Sequence, residues 1–81
     1  MVKYPNPSGP DLARRIGERI RELRLERGIT SQETLADAAL LHRTFIGRVE
    51  RGETNVTVAT LERICAALGV SLSEFFRSFD R

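Results

Sequence analysis

The 81 residues include one cysteine, one histidine and no tryptophan. Cys65 alone rules out an intrachain disulfide, and Cys65 with His42 cannot build a closed zinc site from those residue types. No apolar run approaches the roughly 18 residues of a membrane span, and nothing near Met1 resembles a signal peptide. A cytoplasmic protein with no membrane partner is therefore expected. The single histidine stands alone and the carboxylates are spread along helix surfaces, so no converging nucleophile, base and acid can be picked out. An enzyme is not expected, nor is a metal or cofactor.

A chain of this length makes one domain at most and buries only about 60–65% of its extended surface, so it stands to gain from self-association. Net charge is +2, but it is unevenly spread. Residues 1–28 carry seven Lys/Arg against four acids, residues 29–52 three against three, and residues 53–81 three against four. That is a chain that places a few positive charges, not a polycation that coats any nucleic acid.

Apolar spacing divides the chain into helices. Residues 1–9, with two prolines, a glycine and no periodicity, form an expected flexible arm ahead of a single domain over 10–81. The arm is read as a frayed terminus, the alternative being a segment that touches a nucleic-acid groove or backbone through Lys3. A first helix begins near Pro10, with Asp11 at its positive end, and stops at Gly28. Leu12, Ile16, Ile20 and Leu23 form its inner face. Arg14 and Arg15 lie on other faces, as part of a solvated charge run or as phosphate contacts. A second helix starts at Thr30 or Ser31, where Thr30-Ser31-Gln32-Glu33 matches a capping box. Thr34, Leu35, Ala38 and Ala39 form its small apolar face. Gln32 in the first turn can donate an amide hydrogen bond to a phosphate.

The stretch from Leu41 to Asn55 organises the rest. His42 can cap a third helix whose Ile46 and Val49 point inward, with Phe45 on the flank. Arg43, Thr44, Gly47, Arg48 and Arg51 fall on the opposite side. Arginine reads guanine bidentately in the major groove, and threonine offers a hydroxyl and a methyl. Gly47 costs about 1 kcal/mol against alanine in a helix, which suggests a close approach. In the loop that follows, Thr54 and Asn55 are small donors suited to phosphate, or to turn chemistry alone. A fourth helix follows Thr57, with Val58, Leu61, Ile64, Cys65 and Leu68 as its stripe and Gly69 as its stop. Cys65 is expected to be a small buried apolar residue. A fifth helix of about eight residues follows a second capping box, Ser71-Leu72-Ser73-Glu74. It cannot bury Phe75, Phe76 and Phe79 on one face, so Phe76 or Phe79 is a candidate subunit contact.

A second helix, a short turn and a donor-bearing third helix make the helix-turn-helix plan. Four blocks carry a further resemblance: Ile20-Arg21-Glu22-Leu23-Arg24, Ser31-Gln32-Glu33-Thr34-Leu35-Ala36, Arg43 through Gly52, and Leu61 through Val70. They resemble the lambda-repressor/Cro-type (Xre) DNA-binding domain over about residues 11–76. Within that family, Arg43 through Gly47, Glu50 through Gly52 and Asn55-Val56-Thr57 are most like restriction–modification controller proteins. The resemblance implies an all-α, five-helix domain, dimeric on a pseudo-palindromic double-stranded operator through the region of helices 4 and 5. It implies that Arg43, Thr44 and Arg48 face base edges, that Gln32 anchors to phosphate, and that Thr54 and Asn55 lie on the backbone. Ser31, His42 and Arg51 complete the expected backbone contacts. It also implies an Arg24–Glu50 pair, and an unpaired Glu50 on the inner side of a helix would be costly.

Two departures stand out. The family usually has glycine where Leu40 stands. A left-handed leucine there costs roughly 1–2 kcal/mol, and otherwise the turn differs. One extra residue between Gly28 and Gln32 leaves the cap of the second helix open. At a third position, Thr54, the controller branch often has a basic residue. The expected function is a transcriptional regulator that blocks polymerase or sits beside RNA polymerase to recruit it. No ligand-sensing domain is expected after the fifth helix, so control through dimerisation follows. A protein-interaction module of the same fold, such as an antitoxin or anti-repressor subunit, is the competing reading. It requires an apolar outer patch on the third helix.

Overall fold

In the computed structural model, residues 9–80 are described, so the expected arm at residues 1–8 lies outside them. The helices are α1 (Gly9–Glu26), α2 (Gln32–Ala39), α3 (Arg43–Glu50), α4 (Val58–Leu68) and α5 (Leu72–Phe75). A 3-10 turn, Arg77–Asp80, follows α5, and no strand occurs among the described residues. Gly9, assigned to the arm from sequence, is already helical.

Helices α2 to α5 each start where a side chain takes up an orphan backbone N–H. Ser31, Thr57 and Ser71 accept from the backbone three residues on, and His42 accepts from Thr44. The Ser71–Glu74 capping box is present in both directions. The box expected at Thr30–Glu33 is not. Ser31 is the cap, so the third helical residue is Thr34, and its hydroxyl pairs with that of Ser31 at 2.8 Å.

The core joins Ile20 and Leu23 of α1, Leu35, Ala36 and Ala39 of α2, and Ile46 and Val49 of α3 to Leu61, Ile64, Cys65 and Leu68 of α4. Val70 and Phe75 complete it. Three details differ from the sequence pattern. In α2, Ala36 is buried while Thr34 and Ala38 are exposed. Val58, the first residue of α4, is 72% exposed, outside the stripe. Helix 5 is four residues, and the chain then tightens into the 3-10 turn, which wraps the phenylalanines together. Phe75 is buried, with Phe76 edge-on at 5.0 Å and Phe79 at 6.0 Å between ring centres.

Buried Cys65 has its thiol pushed up to about 11, by desolvation first and the charge of Glu62 second. It stays a neutral apolar filler at ordinary pH.

At Gly17 the backbones of α1 and α3 come close together. A Cβ at Gly17 would stand 2.2 Å from the Val49 carbonyl oxygen and 2.7 Å from that of Glu50. Only glycine lets α1 seat against the end of α3 at this depth. The sequence carried a signal, an isolated glycine inside a helical pattern.

Candidate nucleic-acid interface

Eight residues at about 1.5 Å rise make α3 about 12 Å long, a length that lies within a major groove about 12 Å wide. Ile46 and Val49 pin its inner side, which leaves Arg43, Thr44 and Arg48 exposed on the other. Among the described residues neither Arg43 nor Arg48 makes an ion pair. Their guanidinium groups keep their donors available to a ligand.

His42 caps the helix through Nδ1, which accepts from the Thr44 N–H at 3.1 Å. An accepting Nδ1 leaves Nε2 as the protonated nitrogen of the neutral ring, a donor on an exposed side chain at the mouth of α3. Ser31 holds the equivalent place on α2, with its hydroxyl bonded to the Thr34 N–H at 3.0 Å.

Below this surface three helices meet in one polar network. Arg24 of α1 donates through Nε to Glu50 Oε2 at 2.7 Å and through Nη2 to Oε1 at 3.2 Å. Its Nη1 donates to the Ile29 carbonyl at 3.0 Å. Gln32 of α2 adds a bond from Nε2 to Glu50 Oε1 at 3.0 Å. No buried side-chain polar atom is left without a partner among the described residues. Gln32 is half-buried, and one amide hydrogen remains after its bond to Glu50.

Gly47, assigned from sequence to the outer face, is buried beneath this network. A Cβ there would meet Gln32 Oε1 at 3.0 Å and Arg51 Nη1 at 3.1 Å. The missing side chain makes room for the ends of the Gln32 and Arg51 side chains that lie across it.

Arg51 is exposed and gripped by Glu53, Nε to Oε2 at 2.9 Å and Nη2 to Oε1 at 3.2 Å. That hydrogen bond holds Glu53 below the ordinary carboxylate range, aided by the charges of Arg51 and Arg48. Arg51 must exchange this carboxylate for any phosphate. Thr54 is half-buried with its hydroxyl on the Asn55 carbonyl at 3.4 Å, and the Asn55 side chain is exposed.

The two basic residues of α1 weighed as phosphate contacts are engaged elsewhere. Arg14 pairs with Asp11 at 2.8 Å. Arg15 lies 4.6 Å over the Phe79 ring and donates to the Phe79 carbonyl at 3.2 Å. Phe76 and Phe79 are both half-buried, edge-to-face at 4.9 Å. Sequence reasoning passed over Arg63 of α4, whose guanidinium reaches the last carbonyls of α2. Nothing in its local spacing marks it.

No cluster of three or more His, Cys, Asp or Glu could hold a metal among the described residues. No helix there is long and apolar enough to cross a membrane.

The helix-turn-helix family model HTH_3 matches residues 20–75. The control protein C.MunI of a Mycoplasma species is 38% identical over 71 residues, 88% of this chain and 96% of that protein. The restriction-modification controller protein C.AhdI from Aeromonas hydrophila superposes with a TM-score of 0.77 at 39% identity, over 82% of this chain and 98% of that one. The controller C.Esp1396I, solved as a tetramer with its natural 35 base-pair operator, gives 0.78 at 39% identity, over 85% and 90%.

Proposed function

The chain belongs to the HTH_3 helix-turn-helix family, and from that premise we propose that it is a sequence-specific double-stranded DNA-binding transcriptional regulator of the restriction–modification controller type. It is a binding protein and not an enzyme. It acts as a homodimer on a pseudo-palindromic operator, either blocking polymerase or standing beside RNA polymerase to recruit it. The described helices, from Gly9 on, act as the one DNA-binding domain, in the cytoplasm.

The observation that carries the reading is the exposed face of α3. Arg43, Thr44 and Arg48 project from a helix whose other side is pinned in the core, and neither arginine makes an ion pair among the described residues. Arg43 and Arg48 read base edges, with Thr44 between them. Ser31, Gln32, His42, Arg51, Thr54 and Asn55 ring that face and set its register on phosphates. Gln32 does so from a fixed rotamer, because Glu50 already holds its amide. Phe76 and Phe79 offer the apolar edge for the second subunit. The interaction-module reading needs an apolar outer face on α3, and that face carries two arginines and a threonine.

Selection of bound sites from random duplexes tests this. A recovered motif with two-fold symmetry, bound with affinity that falls steeply as salt rises, is the expected result. No preferred sequence together with a flat salt slope would overturn it.

A further inference from the structure

Arg63 lies on α4, and its guanidinium crosses to the end of α2. Nε donates to the Ala39 carbonyl at 3.2 Å, and Nη2 donates to the Leu40 carbonyl. The last carbonyls of a helix have no intrahelical donors and form its negative pole. α2 has no basic residue in its own last turn, so its positive charge comes from α4.

The residue held this way is unusual. Leu40 is at φ 60, ψ 43, left-handed, and is the one non-glycine with positive φ among the described residues. Its own amide bonds back to Asp37, and the Leu41 N–H closes on the Ala36 carbonyl at 2.8 Å. The Leu40 side chain is 81% exposed, so burial does not anchor it. Only Leu40 and Leu41 separate α2 from His42, the cap of α3. The backbone at Leu40 therefore sets the angle between the two helices.

We propose that Arg63 is a positioning residue for DNA reading: by gripping the carbonyl end of α2 it keeps Leu40 left-handed, and so fixes the angle at which α3 presents Arg43, Thr44 and Arg48. The inference rests on the reading of α3 given above. Arg63 acts through the turn and not on DNA.

The test is a double-mutant cycle on the full chain: wild type, Arg63→Ala, Leu40→Gly and the double variant. Each is titrated with the selected operator across a salt series and melted in parallel. Arg63→Ala should weaken operator binding about tenfold, with the salt slope unchanged. In the Leu40→Gly background the same change should cost less than about twofold, because glycine holds a left-handed turn without help. Equal losses in both backgrounds would overturn the proposal. So would a salt slope that falls by about one on removing Arg63, which marks a direct phosphate contact. Should Arg63→Ala melt below the assay temperature, Arg63→Lys takes its place in the cycle. It keeps the charge but loses the two-pronged fork, and the same outcomes decide. A wild type that binds no operator overturns the DNA-reading assignment with it, whereas a binding wild type with an additive cycle overturns only the role of Arg63.

Discussion

Glu50 at the end of α3 is held at both carboxylate oxygens by Arg24 of α1, at 2.7 and 3.2 Å, with side chains only 2% and 5% exposed. Desolvation offsets much of the attraction in such a pair. Its main effect is to fix the register of α3 against α1, which decides where the exposed arginines point. Removing one partner leaves the other charge buried and unpaired. Glu50→Ala should lower stability by about 3–5 kcal/mol, measured as a drop in the urea midpoint. Replacing Arg24 as well by methionine should recover part of the loss. An unchanged midpoint in Glu50→Ala would contradict the buried-pair account.

Two helical glycines should respond in opposite ways to alanine. At Gly17 the new Cβ meets backbone oxygens of Val49 and Glu50 at 2.2 and 2.7 Å. The helices must part, so Gly17→Ala should destabilise by about 1–3 kcal/mol or more in thermal melts. At Gly47 the neighbours are the far ends of Gln32 and Arg51, which can move. Alanine recovers up to about 1 kcal/mol of helix propensity, so Gly47→Ala should melt near wild type. Its operator affinity should fall several-fold at every site sequence, because Gln32 is displaced from beside Glu50. Melts of the two variants that coincide would contradict the contrast.

The capping box of α5 gives a pH dependence. The Ser71 N–H donates to Glu74 Oε1 at 3.0 Å and holds this exposed carboxyl below its ordinary range, with help from Arg77 and Arg27. A folded value below the unfolded one means stabilisation that is whole above the ordinary carboxylate range and fades as pH falls through the folded value. Amide protection at Phe75 and Phe76, measured relative to the intrinsic exchange rate at each pH, should fall on acidification in wild type. Glu74→Gln should remove that step. Ser71→Ala should cost about 0.5–2 kcal/mol through the lost cap. A wild-type exchange profile matching that of Glu74→Gln would count against this.

The helix order and the exposed face of α3 were legible because apolar spacing and cap residues agree there. Arg43, Thr44 and Arg48 differ so sharply from Ile46 and Val49 that one phase fits. α2 was harder. It spans about two turns, and alanine and threonine differ too little in hydropathy to fix its rotation, so Ala38 stood in for Ala36. Adjacent Thr30 and Ser31 are both competent caps, and only the folded chain shows which hydroxyl reaches an amide. Val58 has the stripe's residue type, yet at the first helical position it projects past the layer it was assigned to. Gly47 was recognised as a point of close approach, but what approaches is Gln32 from another helix. Arg63 acts across a long sequence separation, where local pattern is silent, and Gly17 shows only as an isolated glycine in a helical pattern, with nothing local to say what it meets.

The central claim is that the outer face of α3 reads base pairs while its surroundings hold phosphates. Its most direct test is Arg43→Ala, measured against the selected operator and a set of duplexes that change one base pair at a time. The account predicts that discrimination collapses by about 1–3 kcal/mol at one base pair per half-site and persists elsewhere. A uniform loss across every duplex, with the base preferences intact, would make Arg43 a backbone contact and contradict the account.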